Sequence, residues 1–488
     1  MFFITILNKK NKLIIYILFL FLILILSFIF YFIYLNQNEI SEGFLEQPKT
    51  FNPILARNDP EKAISEILFR SLIKLDGKGN FVYDLAKNIY FNSTTKEYLI
   101  NIENSFWSDG NPITSDDIVF TFKIIKLDPE NPLYSIFKDI DIEKLDSNTI
   151  KIKIKEDGDW KEKNFIYQYF TFKIIPQHIW SKINYQNWLL SKENFEPITS
   201  GFYKIKKVSK NIDGSFNYII FEKNKNVSGF KKIKFVFFQN ENEIKDAFLT
   251  KKINFFLTED PFFDDSIKFK YKIKIPRYFA LWIENEKIRN YFKSIDFGFL
   301  KKDFENVNFS QNIEFLLNFH PLNVESSRNV QSPINLEKAP TSTIKIFFPD
   351  NKIIEKILLK IKENLKDQIK VELVKLDNKT FQEKILNDPE FLKNNVVLFG
   401  EKYYILPYFP FLSYKLPEKD FKNFIKLNEK IKREGKIDED FLKELKKLPI
   451  VFLFSIDSIY LSKKNLKLNE IYLNDESQRY SILPYIKN

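Results

Sequence analysis

Residues 103–126 read ENSFWSDGNPITSDDIVFTFKIIK, and they predict a tight turn that leads into a helix. The run from Trp107 to Gly110 contains the Asp-Gly pair typical of turns. Thr114 is a residue type that caps helix N-termini, and Asp117 places a negative charge in the first turn, where the helix dipole favours it. We therefore interpret this stretch as fold-forming rather than ligand-binding.

The titratable residues near this stretch do not predict catalysis. Asp116 and Asp117 are adjacent, and neighbouring residues on a helix point about 100° apart, so the two carboxylates are poorly placed to act together. His178, in the run IIPQHIW, is interpreted as a packed turn histidine. His320 has no recognisable metal-binding partner in the sequence. Neither a catalytic nor a metal site is expected here.

The surrounding sequence predicts a mixed α+β unit. EYLINIE at 97–103 and NTIKIKI at 148–154 alternate between apolar and polar residues, as strands with one wet face do. KAISEILFRSLIKL at 62–75 predicts a helix, and DGKGN at 76–80 predicts a turn. The apolar residues on one face of that helix are Ile64, Ile67, Leu68 and Leu72.

Residues 342–400 give the clearest α/β pattern. STIKIFF at 342–348, IKVELVKL at 369–376 and NNVVLFG at 394–400 predict strands, with a short helix around Phe381–Leu386. An amphipathic helix between the first two strands buries Ile354, Ile357, Leu358, Ile361 and Leu365. Strand, helix and strand in this order predict a parallel sheet with a right-handed crossover.

The flanks of that region are less regular. Residues 321–341 contain three prolines and predict an irregular connection. A helical region is expected at 418–447, and IVFLFSIDSIYLS at 450–462 predicts one further strand.

The N-terminal sequence predicts a membrane anchor. Residues 13–35 carry no charge, and 23 such residues suffice to cross a hydrocarbon core of about 30 Å. Lys9, Lys10 and Lys12 precede them, so the N-terminus is expected in the cytoplasm and residues 36–488 outside it. A cleaved signal peptide is the alternative, but its apolar region is usually about 7 to 15 residues long and ends in small residues.

Composition excludes several classes of protein. Cysteine is absent and there are only two histidines, which excludes disulfide scaffolds, thiol nucleophiles and Cys/His zinc sites. The net charge of +11 is spread without a basic block, so no nucleic-acid partner is expected. No Gly-x-Ser-x-Gly or His-Glu-x-x-His motif predicts a hydrolase. We therefore expect no catalytic residues and no cofactor.

Several segments, in order along the chain, resemble the family 5 extracellular solute-binding proteins, the oligopeptide and dipeptide receptors of ABC importers. The matching segments are 49–86, 103–126, 170–180, 196–208 and 448–461. The most specific is 107–120, which fits the family pattern W-x-D-G-x-P-[VI]-T-[AS]-x-D-[VI]-V-[FY]. Phe202 replaces a proline that the family usually carries after its glycine.

The resemblance implies a bilobed, mixed α/β fold of the type II periplasmic-binding-protein class, preceded here by one transmembrane helix. It implies that a ligand binds between the lobes and that closure presents it to a permease. The expected boundaries are a cytoplasmic N-terminus at 1–12, the anchor at 13–35, a linker at 36–50, a first lobe at 51–275 with an inserted sub-unit at 76–159, a second lobe at 276–448, and a return to the first lobe at 449–488.

The resemblance also implies a peptide ligand, which a receptor can hold through backbone groups and aromatic pockets. The candidate ligand-binding residues are Arg57, Asn58, Asp59, Tyr203, Trp282, Glu401, Tyr403, Tyr404 and Tyr408. Peptide-binding relatives commonly carry an aspartate late in the chain, often in W-x-x-D-Y, that pairs with the ligand ammonium. The corresponding run here, FGEKYYILPYFPFL, has no aspartate, so Glu401 is our hypothesis for that anion.

The expected partners are a peptide, an ABC permease and the membrane, with the receptor itself monomeric and extracytoplasmic. A different or uncharged ligand is the alternative if Glu401 does not serve as the anion. An anchored sensor or surface-binding protein with the same fold is the alternative function, because fold alone does not fix function. Nickel and haem receptors share the fold, but the two histidines form no recognisable metal site.

Overall fold

The computed structural model describes most of the chain. The described residues are 17–27, 38–78, 80–92, 94–95, 97–127, 137, 140–154, 170–224, 229–259, 267–275, 277–304, 306–309, 339–402, 419, 448–466, 470–473 and 475–482. The irregular connection predicted at 321–341 and the helical region predicted at 418–447 lie almost entirely outside these residues.

Strands and helices are interspersed along the chain. The strands are β1 (Glu39–Phe44), β2 (Ile73–Leu75), β3 (Phe81–Tyr83), β4 (Ala86–Asn92), β5 (Glu97–Ile102), β6 (Ile140–Asp146), β7 (Thr149–Ile154), β8 (Tyr203–Lys210), β9 (Phe216–Lys223), β10 (Lys232–Phe237), β11 (Phe255–Thr258), β12 (Phe269–Lys274), β13 (Arg277–Trp282), β14 (Val307–Phe309), β15 (Ile344–Pro349), β16 (Val371–Leu376), β17 (Val396–Lys402), β18 (Ile450–Ile456), β19 (Ser458–Ser462) and β20 (Glu470–Tyr472). The α-helices are α1 (17–27), α2 (Asp59–Leu68), α3 (Ser115–Ile125), α4 (Gln177–Trp180), α5 (Glu241–Leu249), α6 (Glu286–Ser294), α7 (Lys352–Leu365), α8 (Asn378–Asn387), α9 (Pro389–Asn394) and α10 (Arg479–Ile482). Short 3-10 helices lie at Tyr185–Leu190, Lys192–Asn194, Phe297–Lys302 and Glu476–Gln478.

The chain divides into two compact units. Unit 1 contains residues 1–47, 202–255 and 483–488, and unit 2 contains residues 48–201 and 256–482.

Unit 1 contains strands β1, β10, β9 and β8 side by side in that order. Strand β1 runs parallel to β10, whereas β9 is antiparallel to both of its neighbours. Phe44, Phe221 and Phe235 are buried on one face, where the rings of Phe44 and Phe235 lie 4.5 Å apart. Because side chains alternate between faces along a strand, the lysines of β10 lie on the opposite face.

Strand β1 lies within the segment predicted as a linker at 36–50, so that prediction was wrong for residues 39–44. Ile40 is fully buried and Phe44 is 4% exposed. The polar and Gly-containing composition favoured a loop. The backbone of this segment is instead paired with β10, about 190 residues later, and such a distant partner leaves no local signal.

In unit 2, a four-stranded antiparallel sheet has the order β4, β5, β7, β6. It confirms the strands predicted at 97–103 and 148–154. The turn predicted at 76–80 is also confirmed, because the Asp76 amide donates to the Asn80 carbonyl at 3.0 Å. Gly77 has a φ of +81° in that turn, a conformation that favours glycine.

Helix α2 ends at Leu68, so the helix predicted through residue 75 was wrong in its last two turns. The Leu68 carbonyl, which would accept from residue 72 in a longer helix, instead accepts from the amides of Ser200 and Gly201. Leu72 is fully buried, as its apolar character predicted, but it leads into strand β2. Tertiary hydrogen bonds therefore override the helical periodicity here.

A six-stranded sheet in unit 2 has the order β14, β18, β13, β17, β15, β16. Strand β15 is parallel to both β16 and β17, and α7 connects β15 to β16, which confirms the predicted parallel α/β arrangement. The buried residues of α7 are Ile353, Ile354, Ile357, Leu358, Ile361 and Leu365. They pack in one core with Leu281, Leu398 and Leu453 from three central strands of this sheet.

The single strand predicted at 450–462 is two strands, β18 and β19, separated at Asp457. Strand β18 pairs with β13, whereas β19 pairs with β12, and both pairs are antiparallel. Within the described residues, the chain therefore passes twice between the sheet of β12 and β19 and the sheet of β13 and β18, once between Ile275 and Arg277 and once at Asp457. The Asp457 amide donates to the Asn306 carbonyl at 2.8 Å, which extends the β14–β18 pairing by one residue before the chain leaves this sheet.

Helix α1 covers part of the predicted anchor at 13–35, and its apolar side chains, such as Leu24 at 67%, are strongly exposed. Across the described residues, no helix combines the length and the apolar character needed to cross a membrane.

Candidate ligand-binding site

The predicted ligand-binding loop at 57–59 forms the start of helix α2. Asn58 is the N-cap, because its Oδ1 accepts from the Glu61 amide at 3.0 Å and Glu61 Oε2 accepts from the Asn58 amide at 3.2 Å. The Arg57 amide also donates to Glu61, at 2.6 Å, and its guanidinium donates to the Ile54 carbonyl at 3.0 Å. Arg57 and Asn58 therefore stabilise the helix start in this structure.

Asp59 binds Arg479 of helix α10 through both carboxylate oxygens, at 3.1 and 3.0 Å. The Arg479 side chain is 1% exposed, and its guanidinium lies 4.9 Å from the Tyr480 ring centroid and 5.7 Å from that of Tyr460. Such a bidentate, stacked arginine is geometrically specific. Asp59 therefore fixes α10 against α2.

Tyr203 lies at the start of β8 in unit 1 and is 1% exposed. Its hydroxyl donates to the Phe230 carbonyl at 2.8 Å. Burial raises the pKa of this phenol well above its usual value, so the group stays protonated. Its polar end is thus satisfied within unit 1.

Trp282 lies on a buried aromatic face of the six-stranded sheet. Tyr278 and Trp282 are on the side of β13 opposite to Leu281, which belongs to the core under α7. Tyr278 contacts Phe399 of β17 and Phe452 of β18, with ring centroids 6.0 and 5.2 Å apart. We call Tyr278, Trp282, Phe399 and Phe452 the aromatic face. Each is 3% exposed or less.

Glu401 lies near the end of β17, where it pairs with Tyr278 of β13. Trp282 pairs with Val397 at the other end of the same ladder, so about 13 Å of strand separates the two pairs. The structure therefore brings Trp282 and Glu401 onto neighbouring strands. The other predicted tyrosines, Tyr403, Tyr404 and Tyr408, lie outside the described residues.

Polar contacts connect the W-x-D-G stretch to the start of helix α3, and the start of α3 to that of α4. Trp107 is 2% exposed, and its indole nitrogen donates to Asp117 at 3.3 Å. Asp117 also accepts from the amides of Thr114 and Gln177, both at 2.8 Å, which confirms it as a helix-start acid. Burial nevertheless raises its pKa.

Asp109 of the W-x-D-G stretch also contacts helix α4 directly, because its carboxylate lies 2.7 Å from His178 Nε2. Burial acts to raise the pKa of Asp109, but hydrogen bonds from His178 and Asn111 outweigh it and leave the pKa below its usual value. The packed turn predicted for His178 is instead the one-turn helix α4, where the ring is 29% exposed and is held by this carboxylate.

A buried ionic cluster in unit 2 was not predicted. Lys173 lies 2.7 Å from Glu66, and Asp84 accepts from Arg70 at 2.9 Å and lies 3.7 Å from Lys74. Glu66, Arg70 and Lys74 all lie within the helix predicted at 62–75, although the observed helix α2 ends at Leu68. The only sequence signal for this cluster was the presence of charged residues beside an apolar helical face. The same pattern is typical of an ordinary solvent-exposed face, so it did not indicate buried ion pairs.

A second unpredicted group lies where the chain passes between the two sheets. Arg277 donates to the Glu259 carboxylate at 2.5 Å and to the Ile456 carbonyl at 2.7 Å. The Asn306 side chain donates to the backbone carbonyls of Glu259 and Asp457, both at 2.9 Å. We call Glu259, Arg277, Asn306 and Asp457 the crossing cluster. Its hydrogen bonds connect the passage at Arg277 to the passage at Asp457.

Metal ligation finds no support in the described part of the chain, where no group of three or more His, Cys, Asp or Glu side chains is placed to hold an ion. A cavity of about 760 Å³ in unit 2 is lined mainly by polar residues. Its lining is Tyr83, Asp84, Ala86, Lys87, Asn101, Ile102, Glu103, Asn104 and Asn148.

Curated proteins with similar sequences include peptide-binding proteins. The oligopeptide-binding protein AppA of Bacillus subtilis is 27% identical over 172 residues, which cover 34% of this chain and 31% of AppA. The chain thus matches between a quarter and a third of the length of the curated relatives.

Solved structures show the same fold over nearly the whole chain. NikZ from Campylobacter jejuni, solved with Ni(L-His), has a TM-score of 0.67 at 16% identity, covering 92% of this chain and 99% of NikZ. AppA from Bacillus subtilis, solved with a nonapeptide, has a TM-score of 0.62 at 16% identity, covering 90% of this chain and 98% of AppA. These similarities support the mixed α/β fold of the bilobed solute-binding proteins.

The family model for bacterial extracellular solute-binding proteins, family 5 Middle, matches residues 80–333, which is just over half of the chain. This match confirms the resemblance seen in the W-x-D-G stretch. The chain belongs to the family 5 bacterial extracellular solute-binding proteins.

Proposed function

We propose that the chain is a membrane-tethered, extracytoplasmic receptor that captures oligopeptides and delivers them to an ABC permease without altering them chemically. The observation that carries this proposal is the match to the family 5 model together with the similarity, over 90% of the chain, to AppA bound to a nonapeptide. The sequence similarity to AppA points to the same class of ligand.

The proposed binding site lies at the aromatic face and the adjoining end of β17. Aromatic rings on a rigid sheet offer large apolar contacts for variable peptide side chains at little entropic cost. A receptor for many sequences then holds the peptide backbone by polar groups and by the terminal charges. Glu401, which pairs with Tyr278 at this end of the sheet, is the proposed partner of the peptide ammonium.

Arg57, Asn58, Asp59 and Tyr203 remain candidates for the edge of the site. Their hydrogen bonds to Ile54, Glu61, Arg479 and Phe230 occupy their polar groups in this structure. Ligand contact from them would require an exchange of those bonds. We place the centre of the proposed site at β13 and β17. The Trp282 indole donates to Glu284 at 3.0 Å and the aromatic face is buried, so ligand contact there also requires a rearrangement.

The proposed anchor is the uncharged segment at 13–35, of which residues 17–27 are helical and carry exposed apolar side chains. Its length fits the hydrocarbon core, and the preceding lysines fit the positive-inside rule. A tether of this kind raises the receptor's effective concentration near its transporter. A soluble chain recovered without detergent after complete removal of membranes would contradict the anchor.

The ligand can be identified directly. The full chain, extracted in mild detergent and kept from dialysis, is examined by native mass spectrometry for retained small molecules. A ladder of masses that match short peptides of mixed sequence supports the proposal. A single sugar, lipid or nickel complex overturns the peptide assignment while leaving the family intact.

The role of Glu401 is tested by titrating the recovered peptide into Glu401→Gln, with Glu372→Gln on the exposed strand β16 as the matched control. Loss of a paired anion for a buried ammonium lowers affinity by about 3 kcal/mol, a hundredfold or more. We expect N-acetylation of the peptide to lower its affinity for the unaltered chain by the same factor. Equal affinities for both variants would assign the ammonium to another residue.

Delivery is tested by co-purification of the tagged full chain with an ABC permease from its own membranes, with and without peptide. Recovery of permease subunits supports the transport role. The anchored sensor is supported instead by two results together. The chain binds peptide but recovers no permease, and deletion of its gene leaves peptide uptake unchanged.

A further inference from the structure

One face of the unit 1 sheet carries a cluster of lysines. Lys204, Glu222, Lys232 and Glu39 lie side by side in one row across β8, β9, β10 and β1. Two residues along, Lys207 and Lys234 lie in the next row on the same face. Lys206 also reaches this face, because its ammonium lies 2.6 Å from Glu222.

We call Lys204, Lys206, Lys207, Lys232 and Lys234 the lysine face. Glu222 and Glu39 are the carboxylates in its rows, so the face keeps three positive charges in excess. The Tyr218 ring supports two of the lysine side chains, with the ammonium groups of Lys234 and Lys207 at 4.9 and 5.6 Å from its centroid. Like charges held this close favour an anionic partner.

The position of this face along the chain decides which anion it meets. Strand β1 begins at Glu39, four residues after the uncharged segment ends at Leu35. Four residues span at most about 14 Å. Because Glu39 lies in the same row as Lys232 and Lys204, the end of the strands that carries the lysines is the end nearest the anchor.

We propose that the lysine face binds the anionic phosphate headgroups of the membrane that holds the N-terminal segment. The inference rests on the proposed anchor, since the short connection is what keeps the face within reach of the headgroups. Attraction between a basic surface and anionic lipid acts over about one Debye length, roughly 10 Å at moderate salt. Unit 1 is thereby given a fixed orientation on the bilayer.

The test uses the full chain in nanodiscs of phosphatidylcholine alone or of phosphatidylcholine with phosphatidylglycerol. An amine-reactive reagent modifies accessible lysines, and mass spectrometry measures the rate at each site. We expect the lysine face to react several-fold more slowly when phosphatidylglycerol is present, and this protection to vanish at high salt. Two exposed lysines, Lys362 of α7 and Lys366 just after it, serve as internal controls and should react equally in both lipids.

A paired variant sharpens the result. Lys204→Gln with Lys232→Gln removes two charges from the face, and we expect it to abolish most of the protection of Lys207 and Lys234. Lys362→Gln with Lys366→Gln removes the same charge elsewhere and should leave that protection unchanged. All of these lysines are at least partly exposed, so folding is not at stake.

The outcomes separate the two proposals. A chain that stays in both kinds of nanodisc but shows equal lysine reactivity in each overturns the lysine face and leaves the anchor standing. A chain that leaves both kinds of nanodisc overturns the anchor, and the lysine face with it. Protection that is independent of lipid charge would assign the face to a protein surface rather than to lipid, which also overturns the proposal.

Discussion

The Glu66 carboxylate lies 2.7 Å from the Lys173 ammonium, and each side chain is more than nine-tenths buried. Burial raises the pKa of Glu66, while the charge of Lys173 acts to lower it. The Lys173 ammonium also lies 3.3 Å from the Ser71 hydroxyl. This buried ion pair joins helix α2 to the segment before α4, so it fixes the part of unit 2 that carries the family's opening motif.

Removing one partner of this pair is expected to be far more damaging than removing both. Lys173→Met leaves an uncompensated buried carboxylate and should lower the free energy of unfolding by about 3–5 kcal/mol. The double variant Glu66→Leu with Lys173→Met should recover most of that loss. Denaturant unfolding measures all three.

The control for this prediction is Lys393→Met, which removes an exposed lysine that lies 3.3 Å from Glu390. Exposed pairs contribute about 0–1 kcal/mol, so this variant should unfold almost like the unaltered chain. The role of the buried pair would be refuted by equal losses in Lys173→Met and Lys393→Met.

Lys74 should make the stability of the protein rise in alkaline solution. Burial lowers its pKa from 10.5 to about 8, although Asp84 at 3.7 Å acts in the opposite direction. Between these two values the unfolded chain binds more protons than the folded one, so the free energy of unfolding increases with pH. The full gain is on the order of 3 kcal/mol and is complete near pH 10.5.

The measurement compares unfolding of the unaltered chain and of Lys74→Met from neutral pH to pH 10.5. The variant should lack this part of the rise, so the free energy of unfolding of the unaltered chain minus that of the variant should increase with pH. Lys370→Met, at an exposed position, supplies the control. A difference that stays constant with pH would show that Lys74 titrates normally.

Gly201 is expected to tolerate no side chain. A Cβ at this position would lie 2.3 Å from the Ile67 carbonyl oxygen and 2.6 Å from the Leu68 carbonyl carbon, both of which are backbone atoms. Gly201→Ala should therefore destabilise unit 2 by about 3 kcal/mol or more, because the end of α2 has to move. Thermal unfolding measures the loss.

Gly214→Ala is the matched control, since that position has open space around it and only a positive φ of +85°. Its cost should be about 1 kcal/mol of backbone strain. If Gly201→Ala were no worse than Gly214→Ala, the close approach of Gly201 to α2 would not exist in solution.

The sequence predicted local elements well where their signals are local. The capping acid Asp117, the turn at Gly77 and the α/β pattern around α7 each depend on residues within one or two turns of each other. Strand β1 was missed because its partner β10 lies about 190 residues away. The helix predicted through residue 75 was too long because the amides of Ser200 and Gly201 donate to the Leu68 carbonyl.

The positions of the candidate site residues were also predicted unevenly, and ligand contact by these residues stays a prediction. Trp282 and Glu401 lie on neighbouring strands, as a resemblance to peptide receptors allows. Asn58 was chosen for its place in a polar loop, but that place is what a helix cap requires. The break at Asp457 had a local signal, one charge inside an otherwise apolar run, which an uninterrupted strand would have had to bury unpaired.

The crossing cluster is expected to control how readily the chain opens between its two sheets. Arg277 lies on the first passage and donates to the Glu259 carboxylate, just after β11, and to the Ile456 carbonyl beside the second passage. A hydrogen bond from a charged donor is worth about 1.5–3 kcal/mol. Arg277→Gln should therefore raise the hydrogen-exchange rate of the Asp457 amide, which donates to the Asn306 carbonyl, by about ten- to a hundredfold. Lys345→Gln, which removes an exposed pair with Glu372 on β16, should leave that rate unchanged. Exchange at Asp457 that is insensitive to both variants would mean that the two passages open independently of Arg277.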